Sequence, residues 1–290
     1  MDFLRRHPVS LFLVLAFLAS APFYALLNLS GGRGQGMRLF VTGLMWCPAL
    51  AAWLTCRVAG LSFASLGWRW PAARWLWLGA LLPLGYGLLV YGLAWSSGLA
   101  GFSIQAYATQ AAGLLGLSHW PAWAHVALML ALQASAGLVL SCATALGEEI
   151  GWRGFLAPRL VARFGFAGGS AWTGLAWALW HVPVLFWLNF AGETPRAFAM
   201  ACFFTSLVAM SFVYSWLRLR SDSLWPAVLL HASHNVVITP VLTAMSVDTG
   251  VAAFAIDEFG FLLAGVSVAM ALAAWRARNS LAVKHSSAPR

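Results

Sequence analysis

The chain has 290 residues, of which 61% are hydrophobic and only 9% are charged. A soluble domain carries roughly 25% charged residues, so this composition excludes an ordinary water-exposed protein and predicts a surface that faces lipid. The net charge of +9 does not indicate nucleic-acid binding. The basic residues stand singly or in small groups between apolar runs, whereas a nucleic-acid site needs a basic patch.

The apolar runs predict helices that cross a bilayer, each about 20 residues long. A backbone in lipid must satisfy its own hydrogen bonds, which leaves helices or a closed barrel, and the runs lack the period-two alternation of barrel strands. The sequence therefore predicts an all-α, polytopic membrane bundle of about eight transmembrane helices, at residues 9–28, 38–58, 75–96, 123–147, 169–190, 197–217, 223–246 and 259–275. The uncharged connection 97–122 is expected to lie in the membrane interface.

The first run has a second interpretation. Arg5 and Arg6 followed by an apolar run to Ala21 are also typical of a secretory signal peptide. Cleavage there would leave Pro22 after the cut, which is a poor site, and the apolar run continues to Leu27. An uncleaved first span is therefore favoured.

The Lys and Arg residues predict the orientation, because they concentrate on the cytoplasmic side. A cytoplasmic N-terminus places fourteen of the seventeen on that side, and only Arg33, Arg38 and Arg196 on the other. Both termini are then cytoplasmic. Alanine- and tryptophan-rich usage indicates a bacterial inner membrane. Asp257 and Glu258 fall on the far side, where the half-spans otherwise look apolar.

Ionisable residues inside spans are functional candidates by default. In Gly147-Glu148-Glu149-Ile150-Gly151-Trp152-Arg153, Glu149 and Arg153 are four apart and meet on one helix face. Glu148 points about 100° away and is expected to remain free of a local partner, as a general base requires. The alternative is an ion-paired helix end with no catalytic role.

Two later spans carry histidines. His181 precedes Pro183, which is expected to loosen the helix. His231 and Asn235 are one turn apart on one face, and His234 lies beside them. Each group alone is consistent with polar contacts between helices. Since all three segments enter from the same membrane side, their polar groups are expected to share a depth and to form one site.

The motifs E-E-x-x-x-R, aromatic-x-x-x-H and H-x-x-x-N, in this order, resemble the CAAX-prenyl-protease and bacteriocin-processing (CPBP) family of intramembrane proteases, which includes the type II CAAX prenyl endopeptidases. The resemblance covers about residues 120–246, and the first three spans match only in being hydrophobic. The aromatic residue of the second motif is commonly Phe and is Trp177 here.

The resemblance implies roles for individual residues. Glu148 and His181 would activate the attacking water, and His231 and Asn235 would line the oxyanion hole. Supporting roles fall to Glu149, Arg153 and Trp177. It also implies three regions: N-terminal helices in 1–120, a protease-like core in 121–246, and a last helix with a basic tail in 247–290.

The family is often labelled metalloprotease, and a zinc ion would take Glu148, His181 and His231 as ligands. The sequence has no H-E-x-x-H, and the neutral amide of Asn235 is a poor zinc ligand. A mechanism without a metal is therefore preferred, with zinc as the alternative.

The leading hypothesis is an intramembrane endopeptidase acting on a membrane-associated peptide or protein, in contact with lipid and not with nucleic acid. A non-catalytic partner-binding or bacteriocin-immunity protein of the same fold is the first alternative. A proton-coupled transporter is another, disfavoured by the lack of an internal repeat. A nucleophilic protease using Ser141 or Cys142 is disfavoured because neither residue has an evident base. Whether the substrate is prenylated is left open.

Overall fold

The computed structural model describes residues 5–31, 36–117, 119–187 and 194–279, and within them the chain is almost entirely helical. The α-helices are α1 Pro8–Leu29, α2 Gly36–Ala59, α3 Ala73–Ser96, α4 Ile104–Leu115, α5 Ala122–Leu132, α6 Leu138–Glu149, α7 Ala157–Trp187, α8 Arg196–Ser221, α9 Trp225–Val237, α10 Ala252–Ala255 and α11 Phe261–Arg276. A short 3₁₀-helix spans Phe63–Ser65, and π-helical segments occupy Gln133–Gly137, Ile150–Leu156 and Ile238–Thr243. Two short strands, β1 Gly101–Phe102 and β2 Ser246–Val247, pair antiparallel.

The predicted fold class, an all-α membrane bundle, is confirmed. Five helical runs in the described residues are long and apolar enough to cross a membrane. One of them, Ala122–Phe186, contains the predicted span 123–147 and most of the predicted span 169–190. Large hydrophobic side chains such as Leu18, Trp77 and Val139 are exposed on the outside, where lipid can cover them. The chain is an integral membrane protein.

Helix boundaries differ from the prediction at the middle of the chain. The segment 148–168 was expected to be a connection, but the helix continues through Ile150–Leu156 into α7 and breaks only at Gly165, with φ 70° and ψ 173°. Glycine adopts this positive φ without the steric cost that other residues meet. The end of the predicted span 169–190 lies outside the described residues, which stop at 187.

Two glycines of the segment 147–153 allow α2 to pack closely against it. A Cβ on Gly147 would lie 2.6 Å from the carbonyl oxygen of Met45, and one on Gly151 would lie 2.5 Å from Cβ of Pro48. These two glycines are four residues apart, the spacing that lets helices approach closely in membranes. Glu148 and Glu149 lie between these glycines in the sequence, and both are buried, at 2% and 0% exposed.

The uncharged connection 97–122 contains α4. Ser103 caps its N-terminus by accepting a hydrogen bond from the Ala106 N–H at 3.1 Å. Gly116 ends it in the left-handed conformation, with φ 67°. Since Gly101 pairs with Val247, this connection and the segment after α9 lie at the same end of the bundle.

The helix that carries the last predicted motif is central. α9 packs against α3, α6 and α8. The contact with α3 is close, since a Cβ on Gly79 would collide with the carbonyl oxygen of Pro226. α9 therefore presents its histidines to residues of the N-terminal helices as well as to α6 and α7.

Candidate active site

The predicted site residues converge on one cavity of about 430 Å³. Its lining includes all four residues predicted to be catalytic, together with the supporting tryptophan: Glu148, His181, His231, Asn235 and Trp177. These side chains come from α6, α7 and α9. Their assembly agrees with the expectation that the three sequence segments form one site, whereas their chemical roles stay predictions.

Glu148 has a partner that the sequence did not indicate. The carboxylate is 2% exposed, and its Oε2 accepts a hydrogen bond of 2.6 Å from the indole N–H of Trp177. The sequence predicted only that this carboxylate has no local partner, because a local helix projection cannot locate a residue 29 positions away. Oε1 makes no hydrogen bond with the described residues and lies at the cavity wall.

The tautomer of His181 follows from its backbone contact. Its Nδ1 lies 2.9 Å from the carbonyl oxygen of Trp177, one turn earlier on α7. Since a carbonyl oxygen only accepts, Nδ1 carries the proton, and Nε2 of the neutral ring is then a hydrogen-bond acceptor. Trp180 and Phe203 pack edge-on against the imidazole, with ring centroids 4.9 and 5.3 Å from its own. These contacts restrict rotation of the imidazole.

Glu149 forms the expected ion pair with Arg153 and a second contact that was not expected. Its Oε1 accepts from Arg153 Nη1 and from His231 Nδ1, each at 2.9 Å. Both charged side chains are 0% exposed. The motifs did not indicate that one ring nitrogen of His231 is bound to Glu149. That contact orients the ring with Nε2 away from the ion pair.

Aromatic faces surround the Arg153 guanidinium. It lies 4.1 Å from the ring centroid of Trp177 and 3.9 Å from that of Tyr214. Cation–π contacts of this kind are worth about 2 kcal/mol or more when desolvated. Nη2 also donates to Ser211 Oγ at 3.3 Å. Trp177 thus contacts both Glu148 and Arg153. A phenylalanine at this position would present a ring but no N–H donor.

Asn235 is available to a ligand. Its side-chain amide lines the cavity and makes no hydrogen bond with the described residues. An amide carries two N–H donors and one acceptor oxygen, so it can donate to an oxyanion.

The zinc ligands that the family label suggests are Glu148, His181 and His231. Among the described residues, no group of three or more His, Cys, Asp or Glu side chains is placed to hold a metal ion. His231 directs Nδ1 to Glu149, and His181 directs Nδ1 to a carbonyl oxygen. Histidines that bind a metal make the same kind of contact with their other nitrogen, so these two bonds are compatible with either mechanism.

The cavity also contains residues that sequence reasoning did not place in the site. Tyr86, His234, Asp257 and Glu258 line it as well. The far half of the bundle is therefore more polar than expected, since the acids come from the connection between α10 and α11. His234 was visible beside the H-x-x-x-N motif. Burial alone would raise the pKa of Glu258, but the contact with His234 lowers it below its ordinary value.

The alternative nucleophiles lie elsewhere. Ser141 donates its hydroxyl hydrogen to the carbonyl of Ala232 at 3.1 Å, which ties α6 to α9. Neither Ser141 nor Cys142 is among the described residues that line the cavity. The geometry gives no support to a serine or cysteine protease that uses them.

Fold and site together define the class: a helical integral membrane protein with a cavity among its spans that several polar and ionisable side chains line. Residues 130–237 match the family described as type II CAAX prenyl endopeptidase Rce1-like, which agrees with the resemblance of the motifs. All four predicted catalytic residues fall inside this segment.

A curated relative agrees with the family match. The chain is 29% identical over 106 residues to a protein of Methanococcus maripaludis named CAAX prenyl protease 2, and the alignment covers 35% of this chain. It spans 38% of that relative's length, well under half. Both comparisons support a protease.

The buried ion pair generates the first prediction. Glu149→Gln removes the charge that both Arg153 and His231 contact, and Arg153→Ala leaves Glu149 buried and uncompensated. Breaking a buried pair costs about 3–5 kcal/mol, so we expect both variants to have a clearly lower midpoint of thermal unfolding in detergent. Asp222→Asn is the matched control. It removes an i,i+4 partner of Arg218 that is 63% exposed, and exposed pairs contribute about 0–1 kcal/mol. Equal unfolding midpoints for all three variants would contradict the prediction.

Proposed function

We propose that the chain is an intramembrane endopeptidase that hydrolyses a peptide bond of a membrane-associated protein or peptide. The observation that carries this proposal is the convergence of acceptors and donors in one buried cavity. Glu148 Oε1 and His181 Nε2 are acceptors without partners among the described residues, and Asn235 offers unused donors. An acid–base pair facing hydrogen-bond donors is the arrangement that activates water and stabilises a tetrahedral intermediate.

In the proposed mechanism, water donates hydrogen bonds to Glu148 Oε1 and His181 Nε2. Glu148 takes a proton as the water oxygen bonds to the carbonyl carbon of the substrate. The carbonyl π electrons move to oxygen, which accepts hydrogen bonds from Asn235 and from Nε2–H of protonated His231. The proton then passes to the leaving nitrogen, the C–N bond breaks, and an amine and a carboxylic acid result.

The ion-pair cluster gives this mechanism its electrostatic basis. With His231 protonated, Glu149, Arg153 and His231 together carry one net positive charge. This charge faces the developing oxyanion from a site that water does not reach, where electrostatic interactions are strong. Catalysis by such fixed groups avoids solvent reorganisation at the moment of reaction.

The substrate class follows from the setting. The cavity lies among membrane-spanning helices, so the substrate is a membrane-associated peptide or protein surrounded by lipid. The relative's name points to prenylated C-terminal peptides as one candidate. We further propose that the chain resides in a bacterial inner membrane with both termini in the cytoplasm, as the Lys and Arg distribution indicates.

A proton-coupled carrier is a second candidate, favoured by one observation. His234, Asp257 and Glu258 add polar groups to the cavity lining, which weakens the sequence argument that the far half is apolar. A carrier would move its ligand unchanged, so cleaved products distinguish the two functions.

The central prediction concerns Glu148. Glu148→Gln keeps the shape and the contact with Trp177 and removes the base, so we expect normal folding and a loss of turnover of at least about 10²–10⁴-fold. Membrane peptides from cells that make the native chain should contain products that are missing with Glu148→Ala. Purified chains are then compared on a quenched peptide ending in a farnesylated CAAX sequence and on its unmodified form. Unchanged cleavage by Glu148→Gln would refute the assigned base, and identical peptide profiles would refute the protease.

Metal dependence gives a second measurement. Because the described ligands do not form a three-residue metal group, we expect cleavage to survive exhaustive chelation. A chelator of zinc is compared with its zinc-saturated form at equal concentration. If the free chelator abolishes cleavage and stoichiometric zinc restores it, the metal-free mechanism is wrong. The proposal that the chain is a protease would remain.

The topology is tested with reporters. A reporter fused after Arg290 should be active only in its cytoplasmic form, and one inserted at Asp248, in the connection after α9, only in its extracytoplasmic form. The reverse result at either position would contradict the proposed orientation.

A further inference from the structure

A second polar cluster lies in the same cavity and has no role in the mechanism above. The hydroxyl of Tyr86 on α3 is 2.5 Å from Nδ1 of His234 on α9. Nε2 of that histidine is 3.3 Å from Oε1 of Glu258 in the connection between α10 and α11. Tyr86 and Glu258 both lie outside the Rce1-like segment 130–237. Parts of the chain beyond the recognised domain therefore complete the cavity wall.

The connection that carries Glu258 is held in a costly conformation. Asp257 has φ 69°, a left-handed value that costs a residue other than glycine about 1–3 kcal/mol and persists only where the surroundings fix it. Its Oδ1 accepts hydrogen bonds from Thr239 Oγ1 at 3.0 Å and from the Glu258 N–H at 2.7 Å. These bonds offset the strain and direct Glu258 toward His234.

The contact with the Glu258 carboxylate places a proton on Nε2 of His234, since a carboxylate only accepts. With the ring neutral, Nδ1 then accepts a hydrogen bond from the Tyr86 hydroxyl. The hydroxyl oxygen keeps lone pairs that this contact does not use. Tyr86 lines the cavity, so a ligand there meets an acceptor whose orientation His234 and Glu258 determine.

We propose that Tyr86 is a substrate-binding residue whose hydroxyl oxygen accepts a backbone N–H of the bound peptide, with His234 and Glu258 as positioning residues. This inference rests on the proposed function, since it assumes that a peptide enters the cavity. An extended peptide presents both N–H and C=O groups, and each must find a partner where water is scarce. Asn235 supplies donors and Tyr86 an acceptor from the neighbouring helix.

Tyr91 provides a matched control. It lies on the same helix, is fully buried, and its hydroxyl is 2.5 Å from Thr243 Oγ1, but it is not among the described residues that line the cavity. Tyr86→Phe and Tyr91→Phe each delete one hydroxyl and one internal hydrogen bond. We expect only Tyr86→Phe to raise KM for the farnesylated quenched peptide, by roughly three- to tenfold, as for one neutral hydrogen bond. kcat should change little, because this contact exists before and during the reaction.

A double-mutant cycle tests the positioning roles. Glu258→Gln should raise KM by a similar factor, and Tyr86→Phe/Glu258→Gln should be no worse than Tyr86→Phe alone, because both changes remove the same contact. Asp248→Asn, an acid of the preceding connection, between α9 and α10, whose carboxylate accepts from Gly250 N–H, should leave KM unchanged. Additive effects, or equal KM values for Tyr86→Phe and Tyr91→Phe, would overturn the inference.

Binding separates this inference from the proposed function. Anisotropy of the labelled farnesylated peptide is measured with Glu148→Gln and with Glu148→Gln/Tyr86→Phe. Weaker binding to the second supports the role of Tyr86 even if the native chain cleaves nothing. Equal binding by both variants, or binding by neither, would overturn the role of Tyr86. Cleavage by the native chain would still support the proposed protease function in that case.

Discussion

The site depends on one buried interaction, the contact of the Glu149 carboxylate with both Arg153 and His231. Two full charges inside a membrane protein are tolerated only when they compensate each other and their hydrogen bonds are largely satisfied. The cluster fixes α6 against α9 and sets the ring of His231. Trp177 and Tyr214 stack on the guanidinium from α7 and α8. Four helices are thus held in register by a single guanidinium and its carboxylate.

The arrangement explains why two adjacent glutamates have different environments. The π-helical segment starts directly after Glu149 and carries Arg153, and such segments occur often at functional sites. Glu149 points into the ion pair, whereas Glu148 points into the cavity and receives the Trp177 indole N–H. Gly147 and Gly151 bring α2 close to the same turn. One carboxylate is therefore structural, and the other is placed to meet a ligand.

Helices outside the recognised segment also shape the cavity. On α1, Ser20 accepts a hydrogen bond from the indole of Trp180 at 2.7 Å, next to His181. α3 contributes Tyr86, and the connection before α11 contributes Glu258. These elements contain none of the three motifs, so the motifs alone do not specify the whole cavity wall.

The sequence by itself determined the class of fold, and it predicted approximate spans and a set of candidate site residues that line one cavity. Those follow from properties of short segments: apolar length, the i,i+4 spacing of Glu149 and Arg153, and the order of three motifs. Tertiary structure decided what each residue touches. The bond between Trp177 and Glu148 joins positions 29 residues apart, and the bond between His231 and Glu149 joins positions 82 apart. In the second cluster, Tyr86 and His234 are 148 residues apart, and His234 and Glu258 are 24 apart. Helix periodicity specifies a direction around one axis and carries no information about which other helix lies there, so only the packing of the bundle could assign these partners.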